Sequence, residues 1–160
     1  MEDETIKQNI APQSTTEFYT LLNKDSFLQG INIAGTSAAT SGNYGIILTA
    51  RNIALEIVGV LERHEVKGTD VGAVTLDVVK VPTGTAISAG TTILASTFDL
   101  KGTINTAVIK NGKLLSNVPK SRYLKPSESL ALKTSGALTD VAGVHITVYY
   151  KPINAGSYRI

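Results

Sequence analysis

The sequence predicts an all-β domain, an antiparallel β-sandwich preceded by a polar arm that carries one short helix. Three observations predict it. β-Branched and small polar residues dominate, with 19 Thr, 12 Ser, 15 Ile, 13 Val and 14 Gly among 160 residues, and such residues fit a pleated, half-buried surface better than a helix. Apolar and polar residues alternate with a period of two in several segments, most clearly in Val144-His-Ile-Thr-Val-Tyr-Tyr150. Turn residues part these segments at short intervals, the rhythm of a sandwich or barrel rather than of βαβ units.

A chain of 160 residues and 16.9 kDa supports one core of ordinary size. Apolar residues make up 42% and charged residues only 18%, below the usual quarter, which points to a surface that is partly covered. No cysteine is present, so disulfides, thiolate nucleophiles and cysteine-based metal centres are excluded. The chain starts Met1-Glu-Asp-Glu4, acidic where a secretory or transit peptide is basic, and no apolar run approaches the ~18 residues of a membrane span. The expectation is a soluble chain made in the cytoplasm, with no membrane partner. Net charge is +2, unevenly spread: residues 1–50 hold two bases, Lys7 and Lys24, against the five acids Glu2, Asp3, Glu4, Glu17 and Asp25. Without a Lys/Arg cluster interleaved with aromatics, no nucleic-acid partner is expected.

Residues 1–13 are polar and aperiodic, as in an arm. Ser14-Thr-Thr-Glu17 has the spacing of a capping box and predicts a helix over about residues 15–24. Phe18, Leu21 and Leu22 fall on one face of it with Tyr19 beside them. A helix this short does not persist alone in water, so these four residues are expected to pack either on the body of the same chain or, as the long linker favours, on a partner. The small, polar residues 34–43 read as a linker, which divides the chain into an attachment arm, 1–42, and a β-sandwich domain, 43–160.

Within that domain strands are expected near residues 44–50, 54–65, 73–81, 91–95, 103–109, 113–118, 129–134 and 143–151. Val144, Ile146 and Val148 should be core, as should Val74, Leu76, Val78, Leu130 and Leu132. Asn111-Gly112 is the dipeptide of a tight primed turn and marks a hairpin tip. Residues 66–72 read as a solvent-facing turn. Eight antiparallel strands fit a β-sandwich of jelly-roll type; an immunoglobulin-like sandwich is the alternative, although its usual Trp and Cys core markers are absent.

Candidate chemistry is sparse. His64 lies in Glu62-Arg-His-Glu65 without a second His at zinc-binding spacing, and no serine or aspartate spacing ties it to His145 as a triad. Both are expected at the surface or an interface. Asp70, Asp77 and Asp99 do not form a calcium loop, and Asp77 is expected to face solvent. The glycines assemble no phosphate-binding loop. The expectation is therefore no catalytic residue, no metal and no cofactor. Tyr150 continues the core face of its strand, whereas Tyr149 points outward and Tyr158 lies in the tail; these last two are expected at a subunit interface, where tyrosine is enriched.

From residue 58 onward the order of motifs is distinctive: Glu62-Arg-His-Glu65, Gly68-Thr-Asp-Val-Gly-Ala-Val-Thr-Leu76, Ser96-Thr-Phe-Asp-Leu-Lys-Gly-Thr-Ile-Asn-Thr106, Leu130-Ala-Leu-Lys-Thr-Ser-Gly136 and Val141-Ala-Gly-Val-His-Ile-Thr-Val148. This stretch resembles a domain of small virion structural proteins of tailed bacteriophages, those set on the head as decoration (auxiliary capsid) proteins or head fibres. The family's Gly-Asp-Arg-like loop before the Leu-x-Leu strand is replaced here by Lys125-Pro-Ser-Glu-Ser129. The resemblance implies a binding rather than catalytic protein of the virion, whose partners are the major capsid protein or other virion proteins. The ending also resembles trimeric jelly rolls of the complement and tumour-necrosis-factor type, which implies a homotrimer. A receptor- or glycan-binding module of a head fibre, tail fibre or baseplate is the other function such a fold would serve.

Overall fold

The computed structural model describes residues 27–33, 42–118 and 120–153. The expected helix with Phe18, Tyr19, Leu21 and Leu22, and Tyr158 of the tail, lie outside the described residues. The strands are β1 (Phe27–Ile33), β2 (Asn43–Thr49), β3 (Ala54–Arg63), β4 (Thr75–Val81), β5 (Thr91–Thr92), β6 (Phe98–Asp99), β7 (Val108–Asn111), β8 (Tyr123–Leu124), β9 (Ser129–Ser135) and β10 (Val144–Ile153). Single 3-10 turns occur at Ile87–Ala89 and Gly112–Leu114. Two antiparallel sheets result. The first has the order β1-β10-β3-β7, with β8 also on β3; the second has the order β2-β9-β4-β5, with β6 also on β4.

The alternation in the sequence accounts for the core between the sheets. Val144, Ile146 and Val148 of β10 are buried as expected, and so are Val74, Leu76, Val78, Leu130 and Leu132. Ile57 and Val60 of β3 join them, and Phe98, Leu100, Leu115 and Leu124 complete the same cluster. Each such side chain contributes about 1.5–3 kcal/mol on leaving water.

β3 breaks its own alternation. Tyr149 of β10 stands opposite Gly59 and Tyr150 opposite Ile57, so Val58 is an extra residue and the strand is bulged there. Ile57 faces inward before the bulge and Val60 after it. From that point the even-numbered residues of β3 are interior, including Glu62 and, just beyond the strand, His64.

Several expectations give way. Residues 27–33, assigned to the arm, form β1 and pair with β10 from Phe27–Tyr150 to Ile33–Val144, so the sandwich begins before residue 43. No hairpin forms at Asn111-Gly112: Gly112 has φ +52° but Asn111 has φ −141°, whereas the primed turn needs positive φ at both. β7 takes its ladder from β3 instead. The strand expected at 103–109 is reduced to Val108–Asn111, and that at 113–118 to a 3-10 turn and a single bridge between Leu94 and Leu115. In the turn over 66–72, Gly68 is buried rather than solvent-facing.

The outer faces of the two sheets differ. On the second sheet Val79, Val81 and Ala131 are buried, with Ile87 of the segment after β4 packed on them. Gly90 ends that segment, and a Cβ there would lie 2.8 Å from Val79 Cγ2, so only glycine lets the segment lie this close. The first sheet has Tyr149, Leu61 and Thr147 half-buried on its outer face.

Replacing Ile146, fully buried near the start of β10, by aspartate places an unpaired charge between the sheets; the Ile146→Asp variant should lose about 4 kcal/mol or more in denaturant unfolding, and an unchanged midpoint would mean the face is misassigned. A chain lacking residues 1–26 should melt cooperatively close to the full chain. Removing 1–42 takes β1 and its ladder to β10 as well, so that chain should melt at a clearly lower temperature in calorimetry.

Candidate functional site

The bulge in β3 sets the most unusual chemistry of the molecule. Glu62 and His64, two residues apart, face the same way, into the protein, and each is only 1% exposed. His64 Nδ1 and Glu62 Oε1 are 2.8 Å apart, one hydrogen bond joining them. His64 Nε2 has no hydrogen-bond partner among the described residues. Burial pushes the Glu62 carboxyl above the ordinary carboxylate range; the hydrogen bond and charge of His64 oppose this and the nearby charge of Asp99 adds to it. His64 was expected at the surface or an interface, and its burial corrects that expectation. A strict period of two from Leu55 and Ile57 would turn Leu61 and Arg63 inward, and the bulge reverses that assignment. Gly59 within a strand pattern is the sequence signal that could have announced it.

Lys110 of β7 is also nearly buried, at 9% exposure. Its ammonium donates to Ser96 Oγ at 2.9 Å and stands 5.1 Å from the centroid of the Phe98 ring, a cation–π contact that offsets part of its lost hydration. The segment after β6 closes over this end. Asn105, at φ +56°, donates its N–H to His64 O at 2.7 Å, and Arg63 Nη2 donates to Asn105 Oδ1 at 3.1 Å. The Glu62–His64 pair can pass a proton between Oε1 and Nδ1, while its burial keeps both atoms from solvent.

The other candidates are scattered. His145 faces away from the core and sits 3.6 Å from Glu65 Oε1, so the two histidines lie on opposite faces of the first sheet. Asp70 accepts from Gly72 N–H, Asp99 from Lys101 N–H, and Asp77 from Thr92 Oγ1 at 2.6 Å. Among the described residues no three His, Asp or Glu side chains gather as metal ligands. Asp77 does not face solvent as expected: it is half-buried, and burial raises its carboxyl above the usual range against the opposing bond from Thr92.

Two surfaces remain. Tyr149 lies on the outer face of the first sheet, where a Cβ on Gly59 would sit 3.5 Å from its Cδ2, so the ring rests over the bulge. Thr147, Leu61 and Ile109 stand side by side across β10, β3 and β7, and Ile109 is 45% exposed. Tyr150, by contrast, packs against the core. At the end of the sandwich near His64, a cleft of about 660 Å³ opens between residues 65–67 and 101–104.

Because the native state holds a proton on Asp77 more tightly than the unfolded chain does, Asp77 adds stability as pH falls through its raised range, fully so below the ordinary aspartate value. The melting temperature of the wild type should therefore gain on that of the Asp77→Asn variant as pH is lowered from about 7 to about 4. A constant difference would show that Asp77 titrates alike in both states. No protein-family model matches this sequence, and no curated protein matches it.

Proposed function

We propose that this chain is a virion structural protein of a tailed bacteriophage, a capsid decoration protein of jelly-roll type that assembles as a homotrimer and holds the head exterior through its N-terminal arm. The strand order carries the proposal. β1-β10-β3-β7 facing β2-β9-β4-β5, with β1 to β4 alternating between the sheets, is the interleaving expected of a jelly roll, an architecture that serves viral capsids and lectins. Four of the motifs of the phage resemblance fall on or next to strands of this order, at the end of β3, the approach to β4, β9 and β10, and one falls on β6, which pairs with β4 beside it.

Binding, not turnover, is the mechanism. Repeated copies on a shell add weak contacts through effective concentration, so each arm needs only modest affinity. Phe18, Tyr19, Leu21 and Leu22 supply the apolar contact with the major capsid protein in this scheme, and Tyr149 with its half-buried neighbours, together with Tyr158 of the tail, supports the trimer. A second function, recognition of a receptor or glycan from a fibre or baseplate, draws support from Val71, fully exposed in the loop before β4, and from the cleft beside that loop.

Counting copies of the chain in purified particles by quantitative mass spectrometry tests the proposal. A number comparable with the major capsid protein is expected of a decoration protein. A few copies per particle would favour the fibre or baseplate role, to be pursued on a glycan array; none would end the virion assignment.

A further inference from the structure

The cleft at residues 65–67 and 101–104 has a chemical character of its own. Lys67 is exposed and makes no hydrogen bond or ion pair among the described residues. Lys101 donates two of its three ammonium protons to the carbonyls of Asp70 and Gly72, at 2.6 and 3.1 Å, and pairs with no carboxylate among the described residues. Glu65, the acid in the lining, already faces His145 at 3.6 Å. Between the lysines, Val66 and Ile104 are 45% and 44% exposed. The cleft therefore offers positive charge beside an apolar floor, the complement of an acidic segment that also carries an aliphatic side chain.

The chain contains one such segment. Glu2-Asp3-Glu4 is its single run of consecutive acids, and Thr5-Ile6 follows it. We infer that the cleft is the docking site of this chain's own residues 2–6, with the carboxylates of Glu2, Asp3 and Glu4 on Lys67 and Lys101 and Ile6 on Val66 and Ile104. The inference does not rest on the proposed virion role. Its geometry is permitted by the sheet: β1 runs from Phe27, opposite Tyr150, to Ile33, opposite Val144, and the cleft lies at the Val144 end, where His145 pairs with Arg63. From Phe27 that is roughly 20 Å along β1 and roughly 10 Å across two strand spacings. The residues from 7 to 26 span up to about 66 Å when extended, so the segment reaches its own cleft. Tethering raises its effective concentration there, so a few screened ion pairs suffice.

Zero-length carbodiimide cross-linking of the full chain, as a dilute mixture of unlabelled and isotope-labelled copies, tests this by peptide mapping. The expected product is an amide between Lys67 or Lys101 and a carboxylate of residues 2–4, with both peptides from the same copy. Its yield should fall steeply in roughly 1 M salt, where charges are screened within about 3 Å, and in the Lys67→Glu variant, whose melting temperature should match the wild type because Lys67 is exposed. Absence of the product, links only between copies, or a yield indifferent to both salt and Lys67→Glu would overturn the inference.

Discussion

The extra residue at Val58 is the constraint on which the rest of the molecule depends. β10 runs through its pairing without a slip, Val144, Ile146 and Val148 all inward, so β3 alone absorbs the mismatch between Tyr149 and Tyr150. A strand whose side chains alternate with period two must then change faces once. Before the bulge the interior receives Leu55 and Ile57; after it, Val60, Glu62 and His64. Gly59 sits at the kink beneath the Tyr149 ring, where a Cβ would lie in ordinary contact, 3.5 Å from Tyr149 Cδ2.

The consequences separate into an interior and a surface. Inside, a carboxyl and an imidazole occupy places that aliphatic side chains would otherwise take, and they are tolerated because one hydrogen bond of 2.8 Å serves both. Asn105 ties the segment after β6 to this end through its N–H on His64 O and its Oδ1 on Arg63. Outside, Leu61 is sent to the outer face of the first sheet, beside Thr147 and Ile109. The second sheet has its outer face covered by the chain itself around Ile87 and Gly90. Low charge in the sequence thus has one local expression, the self-covered outer face of the second sheet, while the first sheet carries ion pairs such as Lys151 with Glu56 on its outer face.

Local preference loses wherever a neighbouring strand offers more. Asn111-Gly112 is a strong turn signal, yet a hairpin there would pair β7 with the segment that follows, while β3 already presents an open edge to Val108–Asn111. The ladder with β3 forms, and Gly112 retains only the positive φ of the pair the turn requires. Asp77 shows the same precedence of context: its alternation with Leu76 and Val78 places it off the core, but Thr92 of β5 bonds it at 2.6 Å and shields it from water.

Alternation and composition by themselves determined the all-β class, the inward faces of β4, β9 and β10 and the absence of cysteine chemistry, because a period of two is a local property written in consecutive residues. The bounds of β2, β3, β9 and β10 were legible within a few residues for the same reason. Pairing decided the rest. β1 has an ordinary sequence, Phe-Leu-Gln-Gly-Ile-Asn-Ile, and becomes a strand by lying along β10. β6 and β8 are two residues each, too short for any period to show. The burial of Glu62, His64 and Lys110, and the cleft between residues 65–67 and 101–104, follow from a bulge and from contacts between segments some forty residues apart, such as Asn105 on His64. Such contacts exist only once the two sheets have met, so no window of sequence contains them.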